Sequence, residues 1–277
     1  PGGTTMSVTG YQPVLSIGQA PAHGEVSFSG ASVTYTPDAG YYGADTFTVI
    51  ASNAGGASAP ATVNVTVGLP AAPTAQSGSG NLAFGETKTF DLSVGGVVSS
   101  VGTVTEPAHG VLSISGTKAT YTPAAGYYGA DSFRFRAIGP GGQSGPATFS
   151  LVVGLPPAPT AADATLTTTF ETTKTAILPV AGVLTSVNIV AQPSHGSASI
   201  TGTTLTYTPA GGHHGADQLT YKAVGPGGES RVATVAVTVG VPDAPTIGDL
   251  NLATDFGQPV TGALTVTGFS PTQIGRA

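Results

Sequence analysis

The chain has 277 residues, of which only 8% are charged, and a formal net charge of −6. A surface so poor in Lys and Arg cannot neutralise a phosphate backbone, so nucleic acid is excluded as a partner. The absence of Cys removes disulfides, thiol catalysis and Cys-ligated metals together, and no apolar run approaches the roughly 18–20 residues of a membrane-spanning helix.

In chain order, the first landmark is Pro21-Ala-His-Gly24, which returns at Pro107–Gly110 and, as Pro-Ser-His-Gly, at Pro193–Gly196. His23, His109 and His195 are each 86 positions apart. The Tyr-Thr-Pro triplets at Tyr35, Tyr121 and Tyr207 keep that step, as do the Gly-Ala-Asp triplets ending at Asp45, Asp131 and Asp217. A register without insertions identifies copies of one folded unit. Each copy closes in a Pro-rich joint, at residues 69–74, 155–160 and 241–246. Proline fixes φ and disfavours helix in the residue before it, so these joints are expected to be extended and stiff. The domain reading is therefore 1–68 (lacking its N-terminal strand), 75–154, 161–240 and a partial repeat, 247–277, holding the first strands of a unit. The chain opens at Pro1 without a signal peptide and reads as a processed or excerpted segment.

Within a unit the apolar pattern has period two. In Asp131–Ile138, Phe133, Phe135 and Ala137 share one face and Arg134 and Arg136 the other. Val63, Val65 and Val67 alternate with polar neighbours, as do Val235, Val237 and Val239. Gly, Pro and Thr are too frequent for helices. The second unit is predicted to hold about seven strands, near 81–84, 87–94, 98–105, 110–115, 118–122, 131–138 and 146–153, which fits a two-sheet antiparallel sandwich. The fold class is all-β, in tandem sandwiches of 86 residues per repeat.

Pro-x-His-Gly, Tyr-Thr-Pro, Gly-Tyr-Tyr-Gly-Ala-Asp-x-Phe and the closing Val-x-Val-x-Val strand together resemble bacterial Ig-like and cadherin-like tandem repeats. The resemblance covers three long copies and the partial fourth. It implies an Ig-like sandwich in a large surface or secreted protein of adhesin type, and leaves the function open, because such repeats serve as spacers, adhesins and fibre subunits alike.

Several residues invite a chemical reading. His23, His109 and His195 lie where Pro sets φ and Gly permits a tight turn, so each ring is expected to bond a backbone group at a sheet corner. One histidine per unit, a domain apart, cannot build a multi-His metal site. Asp45, Asp131 and Asp217 stand singly at a strand entrance, where a carboxylate can accept backbone N–H bonds. Calcium needs about six to eight oxygens, and Asp163, Asp243 and Asp249 at the joints are its weaker candidates. Tyr41-Tyr42 and Tyr127-Tyr128 are read as surface contacts that pack a neighbouring unit, with stacking on a sugar as the alternative. His213-His214 replaces these pairs and is read as a partly exposed amphipathic site rather than a metal site. Gly139–Gly142 and Gly225–Gly228 read as hairpin turns, since neither carries the Lys-Ser/Thr of a phosphate loop. Ser, His and Asp occur in every unit without a nucleophile elbow, so no triad is supported. The first unit has no Lys, which excludes a repeat-wide isopeptide crosslink.

No cofactor, metal or enzymatic activity is expected. The favoured function is a structural array of an extracellular or cell-surface bacterial fibre, self-associating end to end or laterally, or acting as a stiff rod on the order of 100 Å or longer given the usual strand rise. The alternatives are the monomeric stalk of a giant adhesin and a carbohydrate-binding module with a surface glycan as ligand. Ile247, Leu250, Leu252 and Phe256 are candidates for an assembly strand donated to the first unit of another chain.

Overall fold

A computed structural model describes residues 2–5, of which the backbone alone is described, and 13–268. Residues 1 and 6–12 of the first repeat and 269–277 of the partial repeat lie outside it. No helix occurs among the described residues, and none is therefore long and apolar enough to cross a membrane. The chain divides into two compact units, Pro1–Ala124 with Ala130–Val152, and Ala125–Gly129 with Val153–Ala277.

The third repeat shows the architecture in full. One sheet runs Lys174–Ile177, Thr204–Pro209, Gly196–Thr201. The other runs Ala164–Thr168, Ala233–Val239, Gly215–Gly225, Ser186–Ala191. Alternation puts Leu205 and Tyr207 of the first sheet in one core with Leu219, Tyr221, Val235 and Val237 of the second, all 2% exposed or less. Each such side chain removed from water contributes about 1.5–3 kcal/mol. The second repeat has the same order, with Phe133, Phe135 and Ala137 at 1% exposure or below, on the face that the alternation predicts. Its long strand starts at Gly129, two residues before the predicted boundary.

In the third repeat a pairing departs from a purely antiparallel sandwich. Ala164–Thr168 runs parallel to Ala233–Val239, with Leu166 opposite Val237. Period-two alternation reports which face a residue takes and carries no information about strand direction, so this pair is invisible in the sequence. A register shift also recurs in every repeat just before the Pro-x-His-Gly motif, between Ile17 and Gln19, Thr103 and Thr105, and Ile189 and Ala191. The extra residue bends the strand into the corner that the motif occupies.

The first two joints are seated rather than loose. Pro73 and Pro159 are buried, and the backbone of Pro70 crosses the hairpin tip of the second repeat so closely that a Cβ on Gly141 would lie 2.0 Å from its carbonyl oxygen. Gly227 stands in the same relation to Pro156, at 1.9 Å. The second glycine of Gly-Pro-Gly-Gly is thus a slot for the joint, which the hairpin reading alone does not reveal. Gly141→Ala should push the joint off the hairpin, lower the melting temperature and speed protease cleavage within residues 69–74. Gly145→Ala, at a position with open space around it, should leave both unchanged.

Candidate functional site: a repeated carboxylate corner

The site that recurs in every repeat is built from Pro-x-His-Gly, the tyrosine of Tyr-Thr-Pro and the aspartate of Gly-Ala-Asp. Gly43, Gly129 and Gly215 adopt φ of 132°, 120° and 106°, a region that favours glycine, and turn the chain into the long strand whose third residue is the aspartate. In the first repeat Asp45 is 5% exposed. Its carboxylate accepts from Ala22 N–H at 3.1 Å, His23 N–H at 2.9 Å, Thr46 N–H at 2.8 Å and the Tyr35 hydroxyl at 2.9 Å. Asp131 accepts from Ala108, His109, Ser132 and Tyr121 over 2.8–3.0 Å. Asp217 accepts from Ser194, His195, Gln218 and Tyr207 over 2.9–3.1 Å.

Four donors around a buried carboxylate decide its charge. Burial pushes the Asp45 carboxyl up, and the bonds from Ala22, Tyr35, His23 and Thr46 outweigh it, holding the group at about 2. Asp131 and Asp217 lie below the ordinary carboxylate range for the same competing reasons, burial against the tyrosine and backbone donors. Burial, reinforced by the adjacent carboxylate, drives the Tyr35 phenol up to about 12 and raises Tyr207 as well. The corner is an ionised carboxylate locked to a neutral phenol, with its lone pairs filled by the protein.

The glycine of the motif has a different task from a tight turn. Gly24, Gly110 and Gly196 are absent from the positive-φ glycines, and a Cβ on any of them would lie 2.4–2.8 Å from the tyrosine ring beneath. The glycine is required so that the tyrosine can slide under the strand and reach the aspartate. The tyrosines, used in the sequence only to mark the register, are therefore central to the site. Their signal was the constant spacing of ten residues to the aspartate.

The histidines contribute backbone to the carboxylate and a ring to the loop. His23 stacks on Tyr41 with centroids 4.2 Å apart, and His195 stacks on His213 at 4.4 Å. The aromatic pairs split accordingly: Tyr41 and His213 are half-buried, while Tyr42 and Tyr128 are 44% and 39% exposed and His214 is exposed. Tyr127 is half-buried. The Tyr41 hydroxyl donates to the Ala44 carbonyl at 2.5 Å. The shorter His213 leaves Nε2 buried without a hydrogen-bond partner. In the first unit of the chain, Gly40, Tyr41 and Tyr42 border a shallow cavity of about 150 Å³ closed by Gly68, Pro70 and Val97.

The remaining candidates are spread out. No group of three or more His, Asp or Glu able to hold a metal occurs among the described residues. Asp163 is engaged by Thr234 N–H at 2.8 Å and by Arg231 at 3.2 Å, while Asp243 and Asp249 are exposed. Lys118 pairs with Asp91 and Lys222 with Glu229. Ile247 lies in a two-residue strand with Val266 opposite, and Leu250, Leu252 and Phe256 are 38%, 50% and 105% exposed.

A repeated sandwich pinned by one such corner per copy defines a class of tandem Ig-like modules. The bacterial Ig domain family model matches residues 1–66, 71–152 and 156–238, and the chain belongs to that family. Among solved structures, a three-domain I-band fragment of titin (I67–I69) is 13% identical, with 87% of this chain and 93% of that chain covered at a TM-score of 0.38. The protocadherin gamma B4 extracellular domain is 12% identical over 83% of this chain and 45% of its own, at a TM-score of 0.34. No curated protein sequence gives a significant match.

The corner sets the pH response. Asp45, Asp131 and Asp217 have folded values below their unfolded ones, so their stabilisation is complete above about 4 and is lost as pH falls below that range, for Asp45 toward about 2. Tyr35 and Tyr207 have folded values above their unfolded ones, so their contribution is complete below about 10 and is lost as pH rises, for Tyr35 toward about 12. Melting temperature should be flat between these limits and fall outside both. Asp131→Asn, whose amide N–H₂ faces donors, should split off an earlier transition at neutral pH and shrink the acid limb. A second variant tests the loop: His213→Tyr restores a hydroxyl that can reach the backbone, and should stabilise the third repeat by about 0.5–1.5 kcal/mol in urea unfolding.

Proposed function

We propose that the chain is a structural array of an extracellular or cell-surface bacterial protein, with repeats at 1–68, 75–154 and 161–240, joints at 69–74, 155–160 and 241–246, and the start of a further repeat at 247–277. Its work is mechanical and non-catalytic. The observation that carries this reading is the use made of the buried polar groups. The three buried aspartates are filled by four protein donors each, which leaves them no lone pair poised for substrate or metal. The prolines of the first two joints are likewise packed on the hairpin of the repeat that follows. With the stability of such an array a sum over units and their interfaces, low charge makes it insensitive to salt, since the ion pairs among the described residues lie at the surface and contribute little.

The carbohydrate-binding alternative has one observation in its favour, the exposed Tyr42 and Tyr128. Single-molecule stretching separates the readings. A structural array should unfold in discrete steps, releasing about 26–29 nm of chain for each of the 80-residue repeats 75–154 and 161–240 and less for the shorter repeat 1–68, at the reach of an extended backbone. The absence of such steps, together with glycan binding abolished by Tyr42→Ala and Tyr128→Ala, would overturn the structural reading in favour of the binding module.

A further inference from the structure

The tyrosines divide sharply by what the fold does with them. Nine occur in the chain, of which Tyr11 lies outside the described residues. Tyr35, Tyr121 and Tyr207 are buried and donate to the corner aspartates. Tyr221 is buried and donates to the Ala162 carbonyl at 2.6 Å. Tyr41 is half-buried, its ring stacked on His23 and its hydroxyl bonded to the Ala44 carbonyl, and Tyr127 is half-buried at the same position of the second repeat. Tyr42 and Tyr128 stand apart at 44% and 39% exposure, and the 86-residue step makes them one position.

Their surroundings turn these two phenols outward. Tyr42 borders the shallow cavity together with Pro70 and Val97, and the step carries this trio unchanged to Tyr128, Pro156 and Val183. Each tyrosine pair has Ala-Gly before it and Gly-Ala after it, so no bulky or charged neighbour in the loop screens the outer ring. The chain has few other means of covalent linkage. It has no Cys, and a first repeat without Lys excludes a repeat-wide isopeptide bond. Its exposed phenols can still join two chains under oxidising conditions.

We propose that Tyr42 and Tyr128 are covalent crosslinking sites, coupled ring to ring with either tyrosine of a second copy of this chain by a peroxidase using hydrogen peroxide. Each phenol gives up one electron and its hydroxyl proton. The two phenoxyl radicals combine at a carbon ortho to oxygen, forming one C–C bond, and the hydrogen on each of those carbons moves to the phenolic oxygen to restore both rings. The two electrons and two protons removed reduce one peroxide to two waters. One bond per ring and two rings per chain make each copy bivalent, the condition for growth beyond a dimer. With only 8% of residues charged, such loops meet with little like-charge repulsion. This chemistry goes beyond the structural-array reading and takes its purpose from it: links at fixed intervals along each chain carry load from one copy to the next.

Stoichiometry makes the test direct. A peroxidase and hydrogen peroxide added to the purified chain at neutral pH should give a ladder of dimers, trimers and higher multimers that survives boiling in detergent. The ladder should show dityrosine fluorescence, and its crosslinked peptides should weigh two hydrogen atoms less than the sum of their parts and map to Tyr42 and Tyr128. Tyr42→Phe alone or Tyr128→Phe alone should stop growth at the dimer, and the two together should abolish ladder and fluorescence. Phenylalanine keeps a ring at an exposed position, so melting of the three repeats should be unchanged in all three variants. No coupling, a Tyr42–Tyr128 bond closed within one chain, a ladder that persists in the double variant, or multimers beyond the dimer from either single variant would overturn the proposal. Discrete unfolding steps from a chain that fails to couple would leave the structural reading standing and sink this proposal alone.

Discussion

A buried carboxylate that is ionised and fully bonded is the constraint around which each repeat is arranged. An isolated charge in an apolar interior costs far more than any single packing contact returns. Asp45, Asp131 and Asp217 are tolerable only because four donors converge on each, three from the backbone and one from a tyrosine. That convergence fixes the rest: the strand bulge that delivers the Pro-x-His-Gly amides, the glycine that lets the tyrosine pass, and the left-handed glycine that opens the aspartate strand. It ties the strand carrying the aspartate in one sheet to the strand carrying the tyrosine in the other. In a chain with few charges, the ones that are buried carry most of the electrostatic specificity.

The same economy governs the joints and edges. Glycine is used at Gly141 and Gly227 to admit a backbone, so that the Pro-rich joint is held by the repeat that follows. Strand edges are treated in the same spirit. The second and third repeats shield the outer edge of their closing strand with their own first strand.

How much of this was legible in the sequence depends on the kind of interaction. Alternation at Phe133, Phe135 and Ala137 placed those side chains inside, because burial of one face is a local property of period two. The parallel strand at Ala164–Thr168 was not legible, because direction is decided by where the chain has to go. Gly110 was read as a turn residue, and it is an ordinary-φ residue kept small by a ring 2.4 Å from where its Cβ would be. That contact comes from a strand eleven residues on. His23 was expected to use its ring as a hydrogen-bonding group at the corner; its backbone makes the bond to Asp45, and its ring stacks on Tyr41. Tyr121 appeared as a marker of spacing, and only the folded corner shows why the spacing to Asp131 is constant.

The central claim is that the carboxylate corner is a fixed part of the folded core in every repeat. Residue-resolved amide hydrogen exchange at neutral pH tests it most directly, through the N–H groups of Ala22, His23 and Thr46 and their counterparts in the next two repeats. These amides sit in loops and at strand entrances, where exchange is ordinarily fast. The account predicts that they are protected as strongly as the centres of the long strands, and that Asp131→Asn removes the protection of Ala108, His109 and Ser132 alone. Loop-like exchange at all three corners would contradict it.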